Sequence, residues 1–142
     1  MKDSSVKRWA AAHALLYRLT YGLVGGRLVD NDILLLTTRG HRSGEEHTVP
    51  LLYLTDGVRY VVIASYGGRP YHPTWYENLV AQPGVRVQVR SRRRSMVART
   101  ATTEERERWW PRVVAAYDGY AVYQSRTDRE IPLVFLEPVE KS

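Results

Sequence analysis

The sequence predicts a mainly β domain with helical additions (α+β), folded as a small, mostly antiparallel barrel. Three observations support this prediction. Short apolar runs of strand length recur between residues 32 and 138, turn-forming residues such as Asp56-Gly57 separate them, and no internal repeat is present. With 142 residues, of which 44% are hydrophobic, the chain is long enough to bury one core.

Residues 1–30 are predicted to form an amphipathic helix and a glycine-punctuated connector, and residues 31–142 the barrel domain. Apolar residues from Val6 to Leu19 recur at helical spacing among basic residues. This helix either packs against the domain or lies on an anionic lipid surface. Charged residues interrupt it and no cleavage site follows, so we expect a cytoplasmic protein, with contact to the inner face of the cell membrane as the open alternative.

The strands are expected in six stretches of the remaining chain. Asp56-Gly57 predicts a hairpin between the second and third of them, and the basic segment "RSRRRS" is expected at the turn between the fourth and fifth. In order, the stretches are "DILLLTT", "TVPLLYLT", "RYVVIASY", "VRVQVRS", "SMVARTAT" and "IPLVFLEP".

Two helices are expected between these strands. Pro73 is placed in the first turn of a short helix that Pro83-Gly84 ends. The segment "TTEERERWWPRVVAAY" begins with a threonine cap and early glutamates, and Pro111 is expected to kink or divide the helix that follows.

The composition narrows the functional classes. An excess of 21 basic over 15 acidic residues, with a formal net charge of +6, favours anionic partners. The absence of cysteine excludes disulfides, thiolate chemistry and cysteine-bound zinc, and no apolar run is long enough to cross a bilayer. No Walker loop, dinucleotide fingerprint, nucleophile elbow or paired-carboxylate motif stands out. Because "RSRRRS" lacks a surrounding recognition motif, no nucleic-acid partner is expected.

The stretch "TTRGHRSGEEHTVP" concentrates basic side chains in a loop between two strands. Arg39, His41, Arg42 and His47 are interleaved with Gly40 and Gly44, which would let backbone N–H groups approach a phosphate or carboxylate. The equally weighted alternative is a solvated hairpin tip in which neighbouring glutamates neutralise the arginines. Nearby arginines and the lack of ligand-pair spacing argue against a metal site at the histidines.

Two further segments could line a site. Ser65 ends a strand immediately before Gly67-Gly68, where a flat ligand or phosphate could rest, although a plain turn is the alternative. Tyr117, Tyr120 and Tyr123 recur every three residues, so one helical face would present three phenols. They either cap the core or wall an aromatic site in which one of them supplies a proton.

Three motifs together resemble the deazaflavin-dependent nitroreductase family of actinobacteria. They are "LLLTTRGHRSGEEHTVPLLYL", "DGVRYVVIASYGGRPYHPTWYENLVAQPGVRVQV" and "YQSRTDREIPLVFLEP". The resemblance implies a split β-barrel, like that of FMN-binding proteins, which binds coenzyme F420, an 8-hydroxy-5-deazaflavin with an anionic phosphate and glutamate tail. It implies the cofactor-binding residues Arg39, His41, Arg42, Ser43, His47, Pro50, Leu51, Ala64, Ser65, Tyr66, Gly67, Gly68 and Trp75.

The same resemblance implies hydride transfer from reduced deazaflavin to a quinone, a nitroaromatic or another electron-poor small molecule. It places Tyr117, Tyr120 and Tyr123 at the substrate, with Tyr123, Tyr120 and Ser65 as catalytic residues and no metal. Two alternatives remain open: an FMN-dependent reductase on the same barrel, and a cofactor carrier without turnover.

Overall fold

A computed structural model describes residues 33–139, so the helix and connector predicted for residues 1–30 lie outside the described residues. Each of the six predicted stretches contains a strand. The seven strands are β1 (Ile33–Arg39), β2 (Glu46–Leu52), β3 (Leu54–Asp56), β4 (Arg59–Ile63), β5 (Gly84–Val89), β6 (Arg92–Thr100) and β7 (Leu133–Pro138).

The strands form one sheet in the order β2-β1-β5-β6-β7-β4-β3, with antiparallel neighbours throughout. The two edge strands, β2 and β3, are separated in the chain by Tyr53 alone. In a flat sheet the six inter-strand spacings would hold these edges roughly 29 Å apart, which one residue cannot span. The sheet therefore has to curl until its edges approach, and the predicted barrel architecture is confirmed.

The curl creates two differently packed faces. Side chains from β1, β4, β5, β6 and β7 meet inside the barrel together with Trp75 and Leu79 of the first helix, and these residues are buried. On the outer face, residues of β1, β2, β4 and β7 pack against the two later helices around Trp109, Val113 and Phe135. Successive residues of one strand, such as Ile33 and Leu34, therefore belong to opposite cores.

Three α-helices join the sheet: α1 (Thr74–Ala81), α2 (Thr103–Ala116) and α3 (Gly119–Ser125). Pro73 is the N-cap of α1, one position before the predicted first turn. The predicted cap of α2 is confirmed, because the Thr102 hydroxyl accepts from the Glu105 N–H and the Glu105 carboxylate accepts from the Thr102 N–H. None of the helices in residues 33–139 is long and apolar enough to cross a membrane.

Several boundaries differ from the predictions. The expected strand "TVPLLYLT" is broken at Tyr53, where the chain passes from one edge of the sheet to the other. The β5–β6 turn contains Arg90 and Ser91 alone, so the arginines from Arg92 onward belong to β6 and pair with β5. Helix α2 runs through Pro111 without division.

The predicted hairpin at Asp56-Gly57 is confirmed. Asp56 pairs with Arg59 across a two-residue loop, and Gly57 adopts a φ of +64°, which glycine tolerates without a steric cost.

Glu105→Gln should lower the free energy of unfolding by about 2 kcal/mol at neutral pH, because Glu105 receives two charged hydrogen bonds from Arg99, at 2.8 and 3.1 Å, as well as the cap. The Arg99 contact, followed by the cap, lowers the pKa of Glu105 from 4.5 to about 2. A carboxylate with a lowered folded-state pKa stabilises fully above its unfolded pKa and loses that effect as the pH falls through the folded value.

Urea denaturation of both proteins at several pH values checks this. The difference between wild type and Glu105→Gln should shrink as the pH falls from 4.5 towards 2. Glu104→Gln, an exposed change in the same turn, should have little effect at any pH. A difference that stayed constant on acidification would contradict the assignment.

Candidate functional site

The basic loop forms the tip of the β1–β2 hairpin and is held in a tight shape. The Gly40 N–H donates to the Glu45 carbonyl at 2.7 Å, and Arg39 Nη1 donates to the Gly44 carbonyl at 2.7 Å. Gly44 has a φ of +75°. A Cβ on Gly40 would lie 2.7 Å from the Ser43 hydroxyl oxygen and 3.1 Å from His47 Nε2, both at the ends of side chains that can rotate, and 3.2 Å from the Glu45 carbonyl oxygen, so a larger residue would crowd the tip.

Asn78 of α1 fixes the position of this loop through hydrogen bonds. Its amide is buried, with 1% of the residue exposed. Its Oδ1 accepts from the backbone N–H of His41 at 3.1 Å and contacts His41 Nδ1 at 2.7 Å, while Nδ2 donates to the Thr38 hydroxyl at 3.1 Å. Because Oδ1 is an acceptor, Nδ1 carries the proton, and His41 presents Nε2 to the outside.

Among the described residues, some basic side chains of the loop are paired with a glutamate and others are not. Glu46 forms an ion pair with Arg39 at 3.7 Å and a second one with Arg86 of β5. Arg42 is exposed and makes no ion pair with another residue of the described range. The glutamates thus neutralise part of the loop, and positive charge remains available at Arg42.

The loop after β4 has an unusual backbone. Tyr66, Gly67 and Gly68 adopt φ values of +49°, +64° and +81°, three consecutive residues in the left-handed region. Tyr66 is exposed and lies edge-on to Tyr71, with ring centroids 5.7 Å apart. A residue with a side chain in this region is strained, and such strain is commonly found at functional sites.

Gly68 brings this loop into contact with helix α3. A Cβ at this position would lie 2.5 Å from the Tyr123 carbonyl oxygen and 2.9 Å from Arg126 Cβ. The predicted serine–glycine loop and the predicted tyrosine segment are therefore direct neighbours in the fold.

The three tyrosines form one packed group, although they do not share one helix. Tyr117 caps the end of α2, whereas Tyr120 and Tyr123 belong to α3. The rings pack edge to face, with centroids 5.1 Å apart for Tyr117 and Tyr120 and 6.1 Å for Tyr120 and Tyr123. All three are less than 10% exposed, so they are core residues as much as site residues.

The Tyr117 hydroxyl is buried and makes no hydrogen bond of normal geometry with any residue of the described part. Burial, followed by the nearby Tyr123 hydroxyl, raises its pKa above the ordinary tyrosine value. Burial also raises the pKa of Tyr120. Both phenols therefore stay protonated at neutral pH, and Tyr117 is a buried donor with no protein acceptor in residues 33–139.

One face of the sheet connects these two regions. On β2, Glu46, Thr48, Pro50 and Leu52 alternate onto the outer face, where Leu52 packs in the core that contains the tyrosines. The six residue steps from Leu52 to Glu46 cover about 20 Å of strand. Midway, an open cavity is lined by Leu35, Thr37, Thr48, Arg86, Val87, Gln88 and Arg93.

The other predicted site residues divide between the two faces. Leu51, Ala64 and Trp75 pack in the core inside the barrel, and Ala64 has no exposed surface. Trp75 and Leu79 of α1 are core residues. Ser65 is half-buried beside the outer face, and Pro50 is buried on it. Binding and catalytic roles for all of these residues stay predictions.

Sequence reasoning missed four residues. Arg86 and Arg93 line the cavity, and alternation in "VRVQVRSRRR" could have placed them on one face once the β5–β6 turn was known. Asn78 and Arg129 act across 40 and 65 residues of sequence, which no local pattern reveals. Arg129 donates to the backbone of the loop after β4.

Comparison with known proteins gives a consistent set of relatives. A family model described as F420H(2)-dependent quinone reductase matches residues 9–138. An F420H(2)-dependent quinone reductase of Mycobacterium tuberculosis is 37% identical over 129 residues, covering 87% of this chain and 86% of that protein. A second protein of that organism, provisionally named as such a reductase, is 43% identical over 105 residues, covering 74% and 88%.

The fold comparison agrees with the sequence comparison. A solved F420-H2 dependent reductase (FDR-A) is 43% identical and superimposes with a TM-score of 0.70, covering 80% of this chain and 100% of that structure.

Gly68→Ala should cost at least about 3 kcal/mol of stability, because the new methyl group would clash with the Tyr123 carbonyl in addition to the strain of a positive φ. Gly67→Ala is the matched control, since its φ is also positive but its Cβ would meet open space, and it should cost about 1 kcal/mol. Urea denaturation measures both values. Equal costs would show that the loop does not press against α3.

Proposed function

This chain belongs to the F420H(2)-dependent quinone reductase family, and we propose on that basis that it uses reduced coenzyme F420 to reduce a quinone or a similarly electron-poor small molecule. The family membership rests on the match across residues 9–138 and on identities of 37% and 43% with proteins of which the chain covers 86% and 88%. The substrate and the residue roles below are proposals.

The observation that carries the proposal is that the two ends of the outer sheet face differ in chemistry. One end has the basic hairpin tip, where no acid of residues 33–139 pairs with Arg42, and the other has three packed phenols and a buried hydroxyl that has no partner in the same residues. A cofactor with an elongated anionic tail fits the basic end, and an electron-poor substrate beside its ring fits the aromatic end. The basic tip supplies donors for phosphate and carboxylates, and the Tyr117 hydroxyl needs an acceptor that a quinone oxygen can provide.

Coenzyme F420, when bound, supplies a hydride from carbon C5 of its reduced ring. Arg39, Arg42 and His41 would hold the anionic tail. Ser65, Tyr66 and Gly67 would line the ring, because Tyr66 and Gly67 are exposed and Ser65 is half-buried at the start of their loop. The buried tyrosines exclude water from the reacting end of the site.

Reduction of a quinone to a hydroquinone takes one hydride and one proton. The Tyr117 phenol is protonated at neutral pH, so its Oη–H can donate a hydrogen bond to a quinone oxygen, whereas its raised pKa opposes transfer of the proton itself. Tyr123, whose ring borders the same group, and Ser65 at the loop are the candidates for delivering the proton.

The decisive experiment is a titration of the purified protein with F420 and, separately, with FMN, followed by addition of a quinone to the reduced complex without oxygen. Binding of F420 and rapid reoxidation by the quinone support the proposal. Binding of FMN alone would establish the FMN-dependent reductase, and F420 binding without reoxidation would establish a carrier. No F420 binding would overturn the proposal.

Association with a membrane surface through the N-terminal helix, and the cytoplasmic location, stay predictions from the sequence, since residues 1–32 lie outside the described range. Lipid-dissolved quinones would make such an association useful.

Arg42→Ala should weaken F420 binding about tenfold at low salt, because it removes an exposed charge that no described acid compensates. The loss should be smaller at high salt, where screening already reduces that charge. Fluorescence titration at two salt concentrations measures this. Arg108→Ala, an exposed change on α2, is the control. Unchanged affinity at low salt would show that the hairpin tip does not hold the tail.

Tyr117→Phe should stabilise the free protein by up to about 1 kcal/mol, because it removes a buried hydroxyl that has no partner. The same change should lower kcat for quinone reduction while affecting F420 affinity little. Tyr123→Phe should also lower turnover more than affinity if it serves the substrate. Urea denaturation and steady-state kinetics separate the effects. Unchanged kcat in Tyr117→Phe would exclude its hydroxyl from the reaction.

A further inference from the structure

Arg129 lies between α3 and β7 and directs its guanidinium at the loop after β4. Nη2 donates to the Ser65 carbonyl at 2.8 Å, Nη1 to the Ala64 carbonyl at 3.3 Å, and Nε to the Arg69 carbonyl at 2.9 Å. Nη1 also lies 3.0 Å from His72 Nδ1. One side chain thus makes four hydrogen bonds to a single loop.

These contacts bracket the strained part of the backbone. Ala64 and Ser65 precede the three residues with positive φ, and Arg69 and His72 follow them. A left-handed conformation at Tyr66 is unfavourable in isolation and persists where neighbouring contacts over-determine it. The guanidinium provides such contacts on both sides.

The charge of Arg129 is not balanced by an acid. No carboxylate of residues 33–139 forms an ion pair with it, and burial lowers its pKa. His72 accepts from it as a neutral imidazole, since burial, followed by the Arg129 charge, lowers the pKa of His72. The four acceptors of Arg129 in this loop are therefore neutral groups.

Arg129 is itself held by the tyrosine helix. Gln124 of α3 donates from Nε2 to the Arg129 carbonyl at 2.8 Å, and its Oε1 accepts from the Ile131 N–H and from Arg106, both at 2.9 Å. A continuous chain of hydrogen bonds therefore runs from α3 through Arg129 to the loop.

We propose that Arg129 is the positioning residue of the ring end of the site: it holds the loop from Ser65 to Gly68 in the conformation that receives the deazaflavin, and couples that loop to the tyrosine helix. It acts through the loop backbone and does not touch the tail. This inference rests on the proposed F420 site.

The geometry requires arginine in particular. Three carbonyls and one imidazole accept from a planar fork, and a lysine ammonium cannot reach acceptors that diverge in this way. Arg129→Lys keeps the positive charge but should still fail to hold the loop in position. If Arg129 acted through its charge alone, lysine would preserve that role.

The test compares wild type, Arg129→Lys and Arg129→Met, with Arg108→Met on exposed α2 as the control. Hydrogen exchange of the free protein should rise at least tenfold at the amides of residues 65–69 in both Arg129 variants, while amides of β1 and β5 stay protected. This readout needs no cofactor. Unchanged exchange in the loop would overturn the inference even if F420 binds normally.

The binding arm uses F420 and the same deazaflavin chromophore lacking phosphate and glutamates. Both Arg129 variants should lose about tenfold in affinity for each ligand, by the same factor, because the defect lies at the ring. Arg42→Ala should weaken F420 alone. A loss confined to F420 would place Arg129 at the tail and overturn the proposal. If wild type bound neither ligand, the F420 proposal would fail and the exchange result would still decide the role of Arg129.

Discussion

The junction at Tyr53 is the constraint on which the rest of this structure depends. It joins the two edge strands of a seven-stranded sheet through a single residue, so the sheet cannot remain open. The resulting curl creates a closed inner core around α1 and an outer face that is only partly covered by α2 and α3. The candidate site occupies the remainder of that outer face, between the basic hairpin tip and the tyrosines.

The glycines of the two candidate-site loops lie where the backbone comes close to neighbouring groups. A Cβ on Gly40 would crowd the Ser43 and His47 side chains, and Gly68 allows the loop after β4 to touch α3. At Gly68 a side chain would push the loop away from the Tyr123 backbone. The glycines therefore act as points of close backbone approach as well as turn residues.

The site also contains features that cost stability. Tyr66 has a positive φ. Within the part of the chain that the structure describes, the buried Tyr117 hydroxyl has no partner and Arg129 has no acidic one. By contrast, the polar groups of the α2 capping box and of its Arg99 contact are paired with one another. Features that cost stability concentrate where a protein needs groups that a ligand will satisfy.

The sequence by itself determined the strands, the Asp56-Gly57 hairpin, the α2 cap and the basic hairpin tip, because alternation, turn chemistry and capping act over a few residues. The motif resemblance indicated the family, which the comparisons confirmed. Only the tertiary structure decided the break at Tyr53, the separation of Pro50 from Leu51 onto opposite faces, and the contacts of Asn78 and Arg129. These features depend on how the sheet curls, because the curl brings together residues that are 40 to 65 positions apart in the sequence.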